Sequence, residues 1–248
     1  MYARGGESMG KQTPKSGAER LDKLLAGSGL VSRREAKGLV RQGRVTVNGV
    51  PPASAEVKCD PEWDEIRLDG QRVSCARFRY LMLNKPAGVL SATRDDSQRT
   101  VLDLLPPRLR ALELFPVGRL DKDTTGLLLL TNDGDWAHRI LAPRSHVPKR
   151  YRAELDADLD EADAEAFGNG IMLADGTLCR PALLNQEGPR SAVVTLYEGR
   201  YHQVKRMFAA RGKTVTRLHR LSIGPLPLDG TLAPGDFREL TAEEAALF

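Results

Sequence analysis

The chain has 248 residues, 41% of them hydrophobic, enough to pack one large domain or a large and a small one, and two domains are expected. With 37 Lys and Arg against 33 Asp and Glu the net charge is +4 and the pI near 9.0, which makes a polyanionic partner worth testing. No run approaches the length of a membrane-spanning helix, and Cys59, Cys75 and Cys179 are spaced for neither a disulfide framework nor a zinc knuckle, so a reducing cytoplasm is the expected compartment.

Residues 1–18, MYARGGESMGKQTPKSGA, have no apolar core to serve as a signal peptide and are expected to form a disordered, weakly basic leader. From Glu19 the pattern becomes periodic. Leu21, Leu24 and Leu25 predict a helix ending near Gly27 or Gly29. Ser32 followed by Glu35 makes a capping box for a second helix, which Gly43 closes. Arg44 to Val47 then alternates as a short strand into an Asn48-Gly49 turn. On the second helix Arg33, Lys37 and Arg41 recur every four residues with Arg34 beside them, while Ala36, Leu39 and Val40 fall on the other side. Residues 20–50 hold seven basic and two acidic residues, so this stripe lacks the acids that intersperse a merely solvated face, and phosphate contact is its expected role. The stretch RLDKLLAGSGLVSRREAKGLVRQGRVTVNGV resembles the small S4-type RNA-binding domain of ribosomal proteins and RNA-modifying enzymes, which implies binding of structured RNA and identifies no reaction.

A domain boundary is expected near Ser74 to Arg77, between the hairpin-like IRLDGQRV and the apolar strand FRYLMLN, after which Lys85-Pro86-Ala87-Gly88 reads as a turn. Residues 118–134, GRLDKDTTGLLLLTNDG, set a crowd of charges directly ahead of four leucines. Asp121, Asp123, Thr125 and Gly126 imitate the start of a calcium loop, but its twelfth position is Asn132 where a bidentate Glu is required. There is no G-K-[ST] of a phosphate-cradling loop, and the histidines at 138, 146, 202 and 219 have no zinc-ligand spacing, so no metal site is expected. What remains is a turn, Leu120 to Thr125, that presents Asp121 and is braced by a buried strand, Leu127 to Leu130, ending in an Asn132-Asp133-Gly134 turn. Read locally, Asp121 and Asp123 equally suit residues that satisfy turn amides. Further on, the acid-rich ELDADLDEADAEAFGNG would repel RNA and is expected to face solvent away from any cleft. Near the end, Thr241 with Glu244 makes another capping box, for a terminal helix.

The stretch GRLDKDTTGLLLLTNDG resembles the signature of pseudouridine synthases, specifically the RsuA family of ribosomal RNA enzymes, in which the Asp after Arg-Leu is the essential catalytic residue. NKPAG at 84–88, KRYRAEL at 149–155, EGRYHQVKRMF at 198–208, and LHRLSIG followed by LAPGDFRELT occur in the order that family uses, so the resemblance covers residues 19–247. It implies an α+β chain: an S4-type domain at 19–76, then a catalytic domain at 77–248 with a mostly antiparallel mixed β-sheet. It also implies isomerisation of a uridine to pseudouridine in ribosomal RNA, most simply that of the small subunit, with no redox cofactor and no metal. The implied partner is ribosomal RNA or a partly assembled subunit, with no membrane involved, and the chain is expected to be a monomer.

By the same resemblance Asp121 acts either as a nucleophile or by removing a ribose proton, and in both cases it must be ionised, which in a partly shielded site calls for a nearby cation. That cation is Lys205 in HQVKRMF, where many relatives of the wider superfamily carry Arg; read locally, Lys205 is a surface lysine on a helix whose buried side is Val204 and Phe208. Tyr151 in KRYRAEL is implied to stack on the target uracil and Arg119 to help hold the flipped-out nucleotide. Two other readings stay open: a synthase for large-subunit ribosomal RNA, and a non-catalytic ribosome-assembly factor. The lack of a long basic C-terminal tail and the form GRYHQVKRMF lean against the first, and intact Arg119, Asp121, Tyr151 and Lys205 against the second.

Overall fold

In the computed structural model, which describes residues 18–61, 63–73 and 78–248, a short strand β1 (Glu19–Arg20) leads into α1 (Leu21–Gly27) and α2 (Arg33–Arg41). The Ser32 box is formed: the Ser32 hydroxyl accepts from the Glu35 N–H and the Glu35 carboxylate accepts from the Ser32 N–H. The apolar sides of the two helices, Leu21, Leu25 and Ala36, are fully buried against Val45 of β2 (Val45–Val47). Asn48 and Gly49 both have positive φ, 51° and 81°, the left-handed pair that a two-residue hairpin turn demands. Strand β3 (Lys58–Cys59) pairs with β1, while β4 (Ile66–Leu68) pairs with β2 and with β5 (Gln71–Arg72). Compactness divides the chain into residues 1–77 and 78–248. The boundary expected at Ser74 to Arg77 and nearly all of the expected leader lie outside the described residues.

The second unit runs β6 (Tyr80–Lys85), α3 (Pro107–Arg110), β7 (Phe115–Pro116), β8 (Thr125–Thr131), α4 (Gly134–Leu141), β9 (Lys149–Leu155), α5 (Glu161–Asn169), β10 (Leu183–Gly188), β11 (Ser191–Leu196), α6 (Gln203–Ala210), β12 (Val215–Ile223), β13 (Leu226–Pro227), β14 (Phe237–Glu239) and α7 (Ala242–Ala245). Nine of its strands form one sheet with the main order β10-β11-β9-β12-β8-β6-β14; β13 adds to β12 and β7 to β8. All pairings in it are antiparallel except β8 with β12. The α+β architecture with a mostly antiparallel mixed sheet is therefore present.

The four leucines of β8 explain its central place. Leu127 and Leu129 pack on one face with Trp136 and Ile140 of α4, and Leu128 and Leu130 on the other with Leu81 and Leu83 of β6, so a strand buried on both faces reads as a continuous apolar run. Its end departs from the sequence reading. Asn132-Asp133-Gly134 does not turn back into a neighbouring strand; Asp133 caps α4 by accepting from the Asp135 and Trp136 N–H groups, and also accepts from the Tyr80 hydroxyl. Asx-Gly serves a helix start as readily as a hairpin, and only the partners of the Asp133 carboxylate distinguish the two.

The acid-rich segment also departs from expectation. Asp163 is fully buried, where it closes a reciprocal cap with Asp160 and pairs with Lys213 at 2.7 Å and Arg211 at 3.0 Å. Burial opposes ionisation of its carboxyl, but the Lys213 and Arg211 contacts outweigh that and hold it below the usual aspartate range. It ties α5 to the segment following α6, whereas its neighbour Asp158 is exposed and pairs with Arg190.

Candidate active site

The loop from Gly118 to Thr124 connects β7 to β8 and is fixed from beneath by two side chains. Lys85, fully buried at the end of β6, donates from Nζ to the carbonyls of Pro86 (3.0 Å), Lys122 (3.2 Å) and Thr124 (2.9 Å). Burial pushes this ammonium down to about 8, against the upward pull of Asp123 and Asp121. Ser91 takes both backbone groups of Leu120, donating to its carbonyl at 2.8 Å and accepting from its N–H at 3.1 Å. Gly88, with φ 84°, donates its N–H to the Lys122 carbonyl. Asp121 thus stands on a loop whose backbone groups are tied on either side of it, which gives a loop residue the precision of a residue in a strand.

Gly126, in β8, closes the other end. It lies opposite Arg220 in the parallel β8–β12 pairing, and a Cβ there would stand 2.3 Å from the Arg220 carbonyl oxygen. With φ at 101° as well, only glycine fits. This close approach draws β12 against the strand that carries the loop.

Around Asp121 three groups converge. Lys205 of α6 places Nζ 3.3 Å from Asp121 Oδ2, His202 places Nε2 3.4 Å from Oδ1, and the Thr124 hydroxyl reaches Oδ2 at 3.5 Å. Lys205 also holds Asp123 Oδ1 at 2.5 Å, and that contact keeps the Asp123 carboxyl below the usual range. Asp121 is the more sheltered acid, its side chain 26% exposed against 73% for Asp123. A lysine ammonium is a point charge with three donors, so the same residue that forgoes a bidentate fork can bridge two carboxylates.

Beside these groups opens a cleft of about 620 Å³. Its lining includes Asp121, Arg119, Tyr151, Tyr201, His202 and Arg220. Tyr151 of β9 and Arg220 of β12 are cross-strand partners, and the guanidinium lies 5.9 Å from the tyrosine ring centre with Nη1 3.5 Å from its hydroxyl. Arg220 also donates from Nε to the Leu127 carbonyl at 2.7 Å. Lys149, on the same strand as Tyr151, is held below the usual lysine value by burial and then by the Arg220 charge. At the mouth, the exposed Tyr201 ring stacks on His202 at 3.8 Å and 18°, and His202 has a left-handed backbone with φ 48° and ψ 35°. That conformation costs a non-glycine residue roughly 1 kcal/mol or more and concentrates at functional sites.

The fold brings Tyr151 and Lys205, distant in the chain, to the cleft and rim where the neighbours Arg119 and Asp121 stand. Arg33, Arg34, Lys37 and Arg41 are exposed along α2 in the other unit. One of them is less free than the count over residues 20–50 suggested, since Lys37 pairs with Glu56 at 3.2 Å, an acid outside that window. Sequence reasoning did not single out Lys85, His202 or Arg220, although NKPAG, GRYHQVKRMF and LHRLSIG contain them; the signal was there, but no local pattern says which basic residue of a strand turns inward. Among the described residues no cluster of three or more metal-ligand side chains occurs, and no helix is long and apolar enough to cross a membrane. Cys59 and Cys179 are buried free thiols, Cys59 pushed up by burial to about 11.

Asp121, ion-paired to Lys205, thus stands at the edge of a cleft on the mixed sheet that is lined by cationic and aromatic side chains. Comparison gives the class: residues 79–210 match the RNA pseudouridylate synthase family and residues 19–61 the S4 domain. The chain belongs to the pseudouridine synthase family, in the branch that carries an N-terminal S4 domain. More particularly, it is 45% identical over 229 residues to ribosomal small subunit pseudouridine synthase A of Escherichia coli K12, covering 92% of this chain and 98% of that one. It is 47% identical over 232 residues to an uncharacterised RNA pseudouridine synthase of Bacillus subtilis, YtzG, covering 92% and 97%. A crystal structure of a pseudouridylate synthase superposes with a TM-score of 0.66 at 39% identity, covering 93% of this chain and all of the other.

Proposed function

We propose that this protein isomerises a uridine of small-subunit ribosomal RNA to pseudouridine, with residues 19–76 as the RNA-binding domain and 77–248 as the catalytic one. The observation that carries the reading is Asp121 held by Lys205 beside a cleft that Tyr151 and Arg119 also line. The names of the relatives similar over nine-tenths of the chain support the choice of substrate.

The reaction breaks the N1–C1′ bond, turns the base, and joins C5 to C1′; C5 loses a proton and N1 gains one, so product and substrate are isomers and no oxidant or co-substrate enters. Asp121 is the carboxylate that either bonds to C1′ or removes a ribose proton, and Lys205 pairs with it. The uridine leaves its stack to enter the cleft, at a cost of a few kcal/mol. Tyr151 offers its ring to the base, Arg119 contacts the nucleotide, and Arg33, Arg34, Lys37 and Arg41 offset the cost with phosphate contacts.

The test is pseudouridine mapping across both ribosomal RNAs in cells with and without the gene, then conversion of the identified fragment by the purified chain. Loss of one small-subunit position, restored by wild type and not by Asp121→Asn, is the expected result. A large-subunit position, or no position in either RNA, would replace this reading.

A further inference from the structure

We propose that Arg220 receives the negative charge of the departing uracil, resting on the proposed reaction above. Its side chain is buried in the sheet, 4% exposed, and lines the cleft beside Tyr151 and Asp121. Nε is engaged by the Leu127 carbonyl and Nη1 reaches only the Tyr151 hydroxyl, at 3.5 Å, while Nη2 is buried with no hydrogen-bond partner among the described residues. Both carboxylates of the cleft are committed elsewhere: Asp121 to Lys205 and His202, Glu198 to Arg200, to Gln203 and to the Arg180 N–H. The Arg220 guanidinium therefore lies out of water with a donor unused and no ion-pair partner among the described residues. Such a group is unfavourable until an acceptor arrives.

The chemistry supplies one. Heterolysis of the N1–C1′ bond leaves the electron pair on the base, whose charge spreads from N1 onto the carbonyl oxygens, while C1′ is captured by the Asp121 carboxylate or relieved by loss of a ribose proton. The Arg220 guanidinium, which lines the cleft, donates to a carbonyl oxygen of this anion. When C5 bonds to C1′, the Asp121 carboxylate leaves C1′ or returns the ribose proton, C5 gives up its proton and N1 takes one, the charge disappears and the product is no longer held. A fixed donor that meets charge only in the transition state accelerates the step without tightening substrate binding. Because Tyr151 is the cross-strand partner of Arg220, the same guanidinium also fixes the ring that faces the base.

The experiment is single-turnover cleavage of the N-glycosidic bond in the RNA fragment that wild type converts, with either uridine or 5-fluorouridine at the target; fluorine makes the departing anion less basic. Arg220→Gln is expected to slow the uridine substrate by about 10²–10³-fold, with RNA affinity changed less than about threefold. On the fluorinated base the defect should shrink by about tenfold or more, since less charge stabilisation is needed. Arg220→Lys, which keeps the charge, should fall between the two, and it carries the same comparison if the Gln variant does not fold. Equal defects on both bases would assign Arg220 to holding the strands together and overturn the inference. The proposed function is tested separately, by whether wild type forms pseudouridine at all.

Discussion

Lys205 Nζ stands 3.3 Å from Asp121 Oδ2 and 2.5 Å from Asp123 Oδ1, so one cation serves two carboxylates in the same loop. Asp123 shares the charge and the turn with Asp121 but is largely exposed, and it competes for the cation that Asp121 needs. Asp121→Asn is expected to abolish pseudouridine formation with fold and RNA affinity intact. Asp123→Asn should keep activity within about tenfold, because Lys205 is then left to Asp121 alone. Lys205→Met should lose about 10²-fold or more, and adding it to Asp121→Asn should change little further, as for groups that act as a unit. Turnover and thermal melting of the four variants check this. An equally dead, folded Asp123→Asn would move the catalytic assignment.

Lys85 donates to three carbonyls beneath the catalytic loop, and Lys85→Met takes that donor from the Pro86 and Thr124 carbonyls while Lys122 keeps only its bond from the Gly88 N–H. A destabilisation of about 2–4 kcal/mol is expected, with a fall in Tm of roughly 5–15 °C for a domain of this size. Calorimetry of the variant gives the answer, and a Tm within a degree or two of wild type would show that the loop does not depend on this lysine.

The same lysine predicts an alkaline limit to activity. Its ammonium is held down to about 8 in the native state against an ordinary 10.5, so between those values the folded chain binds fewer protons than the unfolded one. For this group alone, stability therefore rises as pH climbs from about 8 towards 10.5. Function moves the other way: a neutral amine has two N–H donors for three carbonyls, and the loop loses one tie. Turnover should decline as pH passes about 8 without a parallel fall in Tm. Rates and melts measured on the same samples decide it, and a joint decline of both would point to general unfolding instead.

Gly126→Ala should be severe, since the added methyl meets the Arg220 backbone and the φ of 101° is closed to alanine. We expect a loss above about 3 kcal/mol, or failure to fold. Gly134→Ala is the control: it sits at the start of α4 with nothing within 4 Å of the added Cβ, and it should be neutral or stabilising by up to about 1 kcal/mol. Parallel denaturant melts compare the two.

On α2, replacing Arg33 and Arg41 with Gln should make the logarithmic salt dependence of RNA binding shallower by roughly one to two units, if each phosphate contact releases about 0.7 to 0.9 of a counterion. Lys37→Gln should have a smaller effect, because Lys37 already pairs with Glu56. Turnover at saturating RNA should stay the same. An unaltered slope would mark the stripe as a solvated face.

The local signals were legible because they are made by neighbours in the chain. A Ser32–Glu35 box, an Asn48-Gly49 turn and a leucine run at 127–130 each depend on a few consecutive residues, and each is formed as read. The resemblance carried Asp121, Tyr151, Lys205 and Arg119 as well, through motifs spread over the chain. What local pattern could not decide was partnership. Asp133 reads alike as a hairpin turn or a helix cap until Trp136 and Tyr80 stand beside it, and Asp163 reads as one more solvated acid until Lys213 and Arg211 close around it. Whether Lys205 serves Asp121, Asp123 or both depends on where α6 lies against the loop. Arg220 is one arginine among many until the parallel register of β8 and β12 buries it beside Tyr151 with a donor left over. Sequence periodicity determines which face of an element is buried; the charge and hydrogen-bond partners that make a site come from elements joined only by folding.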